Sequence, residues 1–175
     1  MRYPAADLIA SDAANSLGTD LSTANFPARD MHQRGYFRTA PTTWAEAKKR
    51  IAGLLPKFLR DAGVREASPA YCRSTAHYRQ GKTLNRASLV AWQAQVLIRS
   101  RDRSTSRYVP GSVDKVFLQR IADLSVLGEG PRLAREFLEK HGVAVVIEAH
   151  LPKTYLDGAA FLRDDGKPVI GLTLR

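Results

Sequence analysis

The sequence has a single cysteine, Cys72, and no apolar run that approaches the roughly 20 residues needed to cross a bilayer. One cysteine excludes an internal disulfide, which fits a reducing compartment. The N-terminal residues also lack the continuous apolar core of a secretion signal. We therefore expect a cytoplasmic protein that does not associate with membranes.

The remaining composition is that of an ordinary folded chain. Of its 175 residues, 44% are apolar and 25% are charged, and both values lie near the averages for globular proteins. This composition argues against disorder along the whole chain. The length suits one ordinary domain or two small ones.

Positive charge is concentrated in one part of the chain. Residues 29–107 carry 17 basic and 5 acidic side chains, whereas residues 108–175 carry 9 of each. A segment with a net charge of +12 attracts polyanions, above all nucleic acid. Tyr71 and Tyr78 fit either base stacking or a core. The candidate phosphate contacts are Arg73, Arg79, Lys82, Arg86, Arg99, Arg101, Arg103 and Arg107.

The first 107 residues divide into two parts. Residues 1–40 have scattered apolar residues, which predict a flexible or weakly helical leader, with a short helix over 5–17 as the alternative. No pair of amphipathic helices around a short turn is visible there, so a helix-turn-helix is not predicted. Residues 41–107 are predicted to form a basic helical region.

Two helices are predicted within this basic region. The first spans 43–62, where Thr43 and Glu46 have the spacing of a capping box and Pro56 is expected to kink or split the helix. Asn85 is predicted to cap the second helix, which has a broad apolar band. The polar, arginine-rich stretch Arg99–Arg107 then predicts a linker, with a domain boundary at 107/108.

Residues 108–175 predict two helices followed by three strands. Ser112 is expected to cap the first helix, and Pro131 suits the first turn of the second, which ends at Gly142. Asp164-Asp165-Gly166 is typical of a hairpin. The fold class is therefore α+β, a mainly helical N-terminal region followed by two helices and a small three-stranded sheet. The predicted strands are Val143–Ile147, Gly158–Leu162 and Val169–Thr173.

Four runs in the second half share an order and spacing with a known family. They are Tyr108–Gly111, Gly130–Phe137, Val146–Ala160 and Pro168–Arg175. Together they resemble the segment that leads into the active-site helix of ImmA/IrrE family metallopeptidase-like proteins. That group is associated with phage-element regulators, stress-response regulators and antitoxins.

The resemblance implies a sheet packed on helices, followed by a His-Glu-x-x-His helix that binds zinc and activates water. The histidines here are His32, His77, His141 and His150, and no two lie four residues apart. The expectation is therefore a partial zincin-like domain over residues 108–175, without catalytic residues or metal ligands of its own. Zinc is expected only if a downstream His-Glu-x-x-His segment completes the domain.

Two residues are candidates for a substrate groove in such a domain. His150 follows a predicted strand and could face the groove, but a histidine on the loop surface is the simpler interpretation. Asp157 precedes Gly158, where an aspartate also serves to shape a turn.

The expected function is that of a catalytically incomplete ImmA/IrrE-like regulatory or antitoxin-type protein, and the alternative is a basic nucleic-acid-binding module built from residues 29–107. The expected partners are nucleic acid, a toxin or regulator protein, a second copy of the chain, or a separately encoded C-terminal half. Association is expected because an uncovered sheet edge or face favours it.

Overall fold

A computed structural model of the chain describes residues 22–64, 85–103 and 105–173. These residues confirm the predicted α+β class and the order of its parts. The helix considered for residues 5–17 lies outside the described residues. A short 3-10 helix spans Thr23–Asn25. The helices are α1 (Ala28–Gln33), α2 (Trp44–Asp61), α3 (Arg86–Arg101), α4 (Lys115–Leu124) and α5 (Gly130–Lys140), and the strands are β1 (Ala144–Ile147), β2 (Gly158–Leu162) and β3 (Pro168–Leu172).

The helix starts follow the predicted caps only in part. The side chain of Asn85 accepts the Ser88 N–H at 3.0 Å, which confirms the cap of α3. The predicted capping box of α2 is wrong, because the Thr43 hydroxyl donates to the Glu46 carboxylate instead of capping the backbone. The helix α2 nevertheless continues through Pro56 without a break.

The cap of α4 is also different from the prediction. Its helix begins two residues later than a Ser112 cap requires, and the Asp114 carboxylate accepts the Phe117 N–H at 2.7 Å. On α4, Phe117 is buried against the rings of Phe137 and His141, at centroid distances of 5.1 Å each. The two helices α4 and α5 thus pack against each other through one aromatic cluster.

The sheet is mixed, with the strand order β1-β3-β2. Strands β1 and β3 are parallel, while β2 and β3 are antiparallel and are joined by the predicted hairpin at Asp164–Gly166. The register places Ile147 opposite Leu172 and Ala160 opposite Ile170. Among the described residues, both β1 and β2 are therefore outer strands.

The core lies between α3 and one face of the sheet. Trp92 is fully buried, its ring lies 6.1 Å from that of Phe161, and its Nε1 donates to the Glu148 carbonyl at 3.1 Å. Gly171 allows this approach, since a Cβ there would lie 2.8 Å from the Trp92 ring. The same hydrophobic cluster includes residues of α1, α2, α3 and the sheet, on both sides of the predicted boundary at 107/108.

No helix among residues 22–64, 85–103 and 105–173 is long and apolar enough to cross a membrane.

Candidate functional site

Charged and polar groups converge at the carboxyl end of β1. Glu148 follows this strand, and only 5% of it is exposed. The Tyr36 hydroxyl donates to its Oε1 at 3.2 Å, and Arg99 Nη1 lies 2.9 Å from its Oε2. Arg99 and Oε2 form an ion pair, but the Arg99 N–H groups are not aligned for a hydrogen bond. Oε2 therefore has no hydrogen-bond donor among the described residues. The carboxylate is thus held by its two neighbours from different directions.

The backbone around Glu148 is fixed as well. Its N–H donates to the Leu172 carbonyl at 2.9 Å, which continues the ladder between β1 and β3. Arg34 Nη1 donates to the carbonyls of Ala149 at 3.2 Å and His150 at 2.8 Å. The segment after α1 is therefore tied to the chain that leaves β1.

Burial dominates the electrostatics of this cluster. It raises the pKa of Glu148, although Arg99, the Tyr36 hydrogen bond and Arg34 act in the opposite direction. Burial also raises the pKa of the Tyr36 phenol, and the nearby Glu148 carboxylate raises it further. Tyr36 is therefore a neutral hydrogen-bond donor at physiological pH.

The contacts of Glu148 join separate segments of the chain, and they do not indicate that its carboxylate is a reactive group. A general base must reach a proton on its substrate, and Glu148 does not line the neighbouring cavity of the described chain. Its neighbours come from the segment after α1, from α3 and from the end of β1. We assign the cluster the role of a buried junction between these segments.

A cavity with a volume of about 340 Å³ lies beside this junction. Phe37, Leu54, Phe58 and Ile98 give it an apolar floor. Its rim carries the ion pairs Arg38–Asp102, at 3.0 Å, and Lys57–Asp61, at 2.8 Å. Arg101 also lines the cavity and lies 3.4 Å from the Asp164 carboxylate, so each charged group of the lining has an ionic partner.

The candidate phosphate contacts fall into different surroundings. Arg73, Arg79 and Lys82 lie outside the described residues. Arg86 is partly exposed at the start of α3. Arg99 forms the ion pair with Glu148. Arg101 donates a hydrogen bond to the Asp61 carbonyl and lies 3.4 Å from the Asp164 carboxylate.

Arg103 and Arg107 are exposed and form no ion pair with the described part of the chain. The structure therefore does not gather the described candidates into one unpaired cluster. A different basic surface lies on α2, where Lys48, Lys49 and Arg50 are all exposed and form no ion pair with any described residue.

The two groove candidates lie near opposite ends of the loop that joins β1 to β2. His150 and Asp157 are both exposed. The His150 carbonyl is held by Arg34, and the Asp157 carbonyl accepts the Thr173 N–H at 2.9 Å. A catalytic pairing of the two side chains is not indicated.

The sheet has one covered and one largely uncovered face. Residues alternate between faces along a strand, and the residues that face α3, such as Val146 and Val169, are fully buried. On the opposite face, α5 packs against β1, but Leu162 is 59%, Leu172 43% and Ile147 40% exposed. We name this surface the open sheet face. It consists of Ile147, Ala160, Leu162, Ile170 and Leu172.

The described residues do not fit the zinc site that the resemblance implies. No group of three or more His, Cys, Asp or Glu side chains is placed to hold a metal ion in this part of the chain. His32 Nε2 lies 2.8 Å from the Pro41 carbonyl, and His141 Nδ1 lies 2.7 Å from the Phe137 carbonyl. We therefore derive no chemical step through zinc.

Comparison of the chain with protein-family models, with curated proteins and with solved structures gave no match.

Proposed function

We propose that this chain is an ImmA/IrrE-like regulatory or antitoxin-type protein that acts by binding another protein, without the zinc-binding His-Glu-x-x-His segment. The observation that carries the proposal is the open sheet face. Three of its large apolar side chains, Ile147, Leu162 and Leu172, each expose 40% or more of their surface. Contiguous apolar surface of this kind marks interaction sites.

The arrangement of these side chains favours a helix as the binding element. Ile147 and Leu172 are direct neighbours in the register, and Ala160 lies beside Ile170 one step away. Such a surface suits the apolar stripe of an amphipathic helix, and its burial contributes roughly 25 cal/mol per Å² of apolar area. The resemblance supplies the same element, since a helix follows the last strand in that family.

Two kinds of partner carry such a helix. One is a separately encoded C-terminal half with the His-Glu-x-x-His helix, and the other is a toxin or regulator protein with an exposed amphipathic helix. In both cases the bound helix covers the sheet from the side opposite to α3. We favour the first kind, because the family resemblance extends through β3.

The test is a titration of the purified chain with a peptide from an ImmA/IrrE family protein that begins after the last strand and includes the His-Glu-x-x-His helix. We expect saturable binding in calorimetry. Leu172→Lys places a charge at the centre of the open sheet face and should weaken binding by at least about tenfold, since an unpaired charge resists burial. Leu118→Lys is the matched control, because Leu118 is 57% exposed on α4.

Absence of binding, or equal weakening by both lysine variants, contradicts the proposal. The purified chain alone should cleave no peptide substrate in the presence of zinc. Cleavage that a chelator abolishes would overturn the catalytic part of the proposal.

A second candidate function is nucleic-acid binding, and the exposed basic surface on α2 favours it. Lys48, Lys49 and Arg50 follow one another on this helix without acidic partners among the described residues. Free cations of this kind form phosphate contacts whose strength depends on salt. This function uses a different surface from the open sheet face, so the two functions are compatible.

A further inference from the structure

The strand β2 has an unused edge. In an antiparallel pair, residues that exchange hydrogen bonds with the partner strand alternate with residues that do not. Thr173 N–H donates to the Asp157 carbonyl, and Arg163 N–H donates to the Lys167 carbonyl, both at 2.9 Å. The odd-numbered residues from 157 to 163 therefore bond to the β3 side. Gly158, Ala160 and Leu162 consequently direct their N–H and C=O groups outward.

Nothing in the described chain covers this edge. The outward backbone groups of β2 have no backbone partner among residues 22–64, 85–103 and 105–173. The strand Gly158–Leu162 also contains no proline and no charged residue, which are the usual features that protect an edge strand from pairing. An edge of this kind accepts a further strand.

We propose that two copies of the chain associate through β2, with the two strands antiparallel and Ala160 of one copy opposite Ala160 of the other. This pairing joins the two sheets into one continuous sheet. Its symmetry is a two-fold axis that passes between the alanines, as in isologous dimers.

Side-chain size supports this register. The two-fold axis places Leu162 opposite Gly158 of the second copy, so a large exposed side chain lies opposite a residue that has no side chain. Leu172 already lies over Gly158, because a Cβ at Gly158 would be 3.0 Å from Leu172 Cδ2. Leu162 of each copy can therefore contact Leu172 of the other. The contact would extend an apolar row across both sheets.

Charge disfavours one alternative register. A shift by two residues brings Asp157 opposite Asp165 of the second copy, and like charges directly opposite each other destabilise paired strands. Residues 108–175 carry equal numbers of basic and acidic side chains, so their net charge does not oppose association at this edge.

The first experiment is disulfide cross-linking in a Cys72→Ser background, which removes the native cysteine. In the proposed register the two Cα atoms at position 160 are about 5.5 Å apart, as in other hydrogen-bonded pairs, and a disulfide accepts roughly 4.4–6.8 Å. Ala160→Cys should therefore give a covalent dimer on mild oxidation. The matched control is Leu162→Cys, whose two copies are about 13 Å apart along the strands and should not cross-link.

Equal cross-linking of the two cysteine variants, or none with Ala160→Cys, overturns the proposal. A second variant tests the backbone directly. Ala160→Pro removes an outward N–H but leaves the bonds to β3, and should raise the dimer dissociation constant at least about tenfold in analytical ultracentrifugation. Ala160→Thr keeps the N–H and should change it little. If the proline and threonine variants give the same dissociation constant, the pairing is wrong.

The dimer and the proposed function have separable outcomes. Peptide binding reports on the open sheet face through Leu172→Lys, whereas the cross-link reports on the edge of β2. Cross-linking of Ala160→Cys, together with an absence of peptide binding by the unmodified chain, would contradict only the proposed function.

Discussion

The guanidinium of Arg99 lies 2.9 Å from the buried carboxylate of Glu148, and this ion pair joins α3 to the end of β1. The two partners are unequally placed, since the Arg99 side chain is 48% exposed and that of Glu148 only 5%. Water therefore stabilises the arginine much better than the carboxylate. This imbalance explains why burial, and not the ion pair, sets the direction of the Glu148 pKa.

The raised pKa predicts how stability depends on pH. In the folded state Glu148 keeps its proton to a higher pH than in the unfolded state, where its pKa is near 4.5. The folded protein then binds more protons above this value, so the free energy of unfolding should fall as the pH rises from about 4.5 through the folded pKa. Glu148→Gln should remove this contribution, as measured by urea unfolding between pH 4 and pH 8.

The amide oxygen of the glutamine variant can still accept the hydrogen bond from the Tyr36 hydroxyl, so both proteins keep this bond. Because Arg99 is half-exposed, the loss of the ion pair leaves it in contact with water. The measured quantity is the free energy of unfolding of the unmodified chain minus that of the glutamine variant. A rise of this difference over the same pH window would contradict the account.

The contact between Trp92 and Gly171 predicts a steric effect. Gly171→Ala would place a Cβ 2.8 Å from the Trp92 ring and 3.0 Å from a Val96 methyl group. We expect a loss of about 1–3 kcal/mol in the free energy of unfolding, as for other overpacked cores. Gly53→Ala is the control, because nothing lies within 4 Å of that position in α2. It should stabilise the protein by roughly 0.5–1 kcal/mol.

Equal effects of the two alanine substitutions on denaturant unfolding would show that α3 does not pack against the sheet at Gly171.

The basic surface on α2 predicts a salt-dependent interaction. Replacement of Lys48, Lys49 and Arg50 by glutamine should reduce the slope of log K against log salt by roughly 0.9 for each phosphate of duplex DNA that the variant no longer neutralises. Fluorescence anisotropy with a labelled duplex at several salt concentrations measures this slope. Replacement of the exposed Lys115 and Arg120 on α4 by glutamine should leave it unchanged.

If both sets of glutamine variants change the slope equally, binding follows net charge and not the α2 surface. A slope near zero for the unmodified chain would remove the nucleic-acid function.

The local features of the fold could be predicted from the sequence because short-range patterns determine them. The β-branched run before Ile147, the turn at Asp164–Gly166 and the Asn85 cap each depend on a few neighbouring residues. The Ser112 cap was wrong because Asp114, two residues later, caps the helix by accepting the Phe117 N–H. Both residue types serve as caps, so the pattern alone does not choose between them.

The site could not be predicted in the same way, because its contacts join distant parts of the chain. Tyr36 and Arg99 have no spacing in the sequence that connects them to Glu148. The open sheet face had a visible signal, because the strands carry apolar residues or glycine at nearly every position and so place apolar side chains on both faces of the sheet. What the sequence did not reveal was the strand order β1-β3-β2, which places Ile147 beside Leu172 and leaves β2 at the edge.

The central claim is that the open sheet face is the protein-binding surface. Methyl NMR of the chain with labelled Ile and Leu residues, recorded during titration with the His-Glu-x-x-His helix peptide, tests this claim most directly. We predict saturable shifts of the Ile147 and Leu172 methyl signals and none for Leu118 and Leu127, which are exposed on or just after α4. Shifts confined to Leu118 and Leu127, or no shift of Ile147 and Leu172 at saturating peptide, would contradict it.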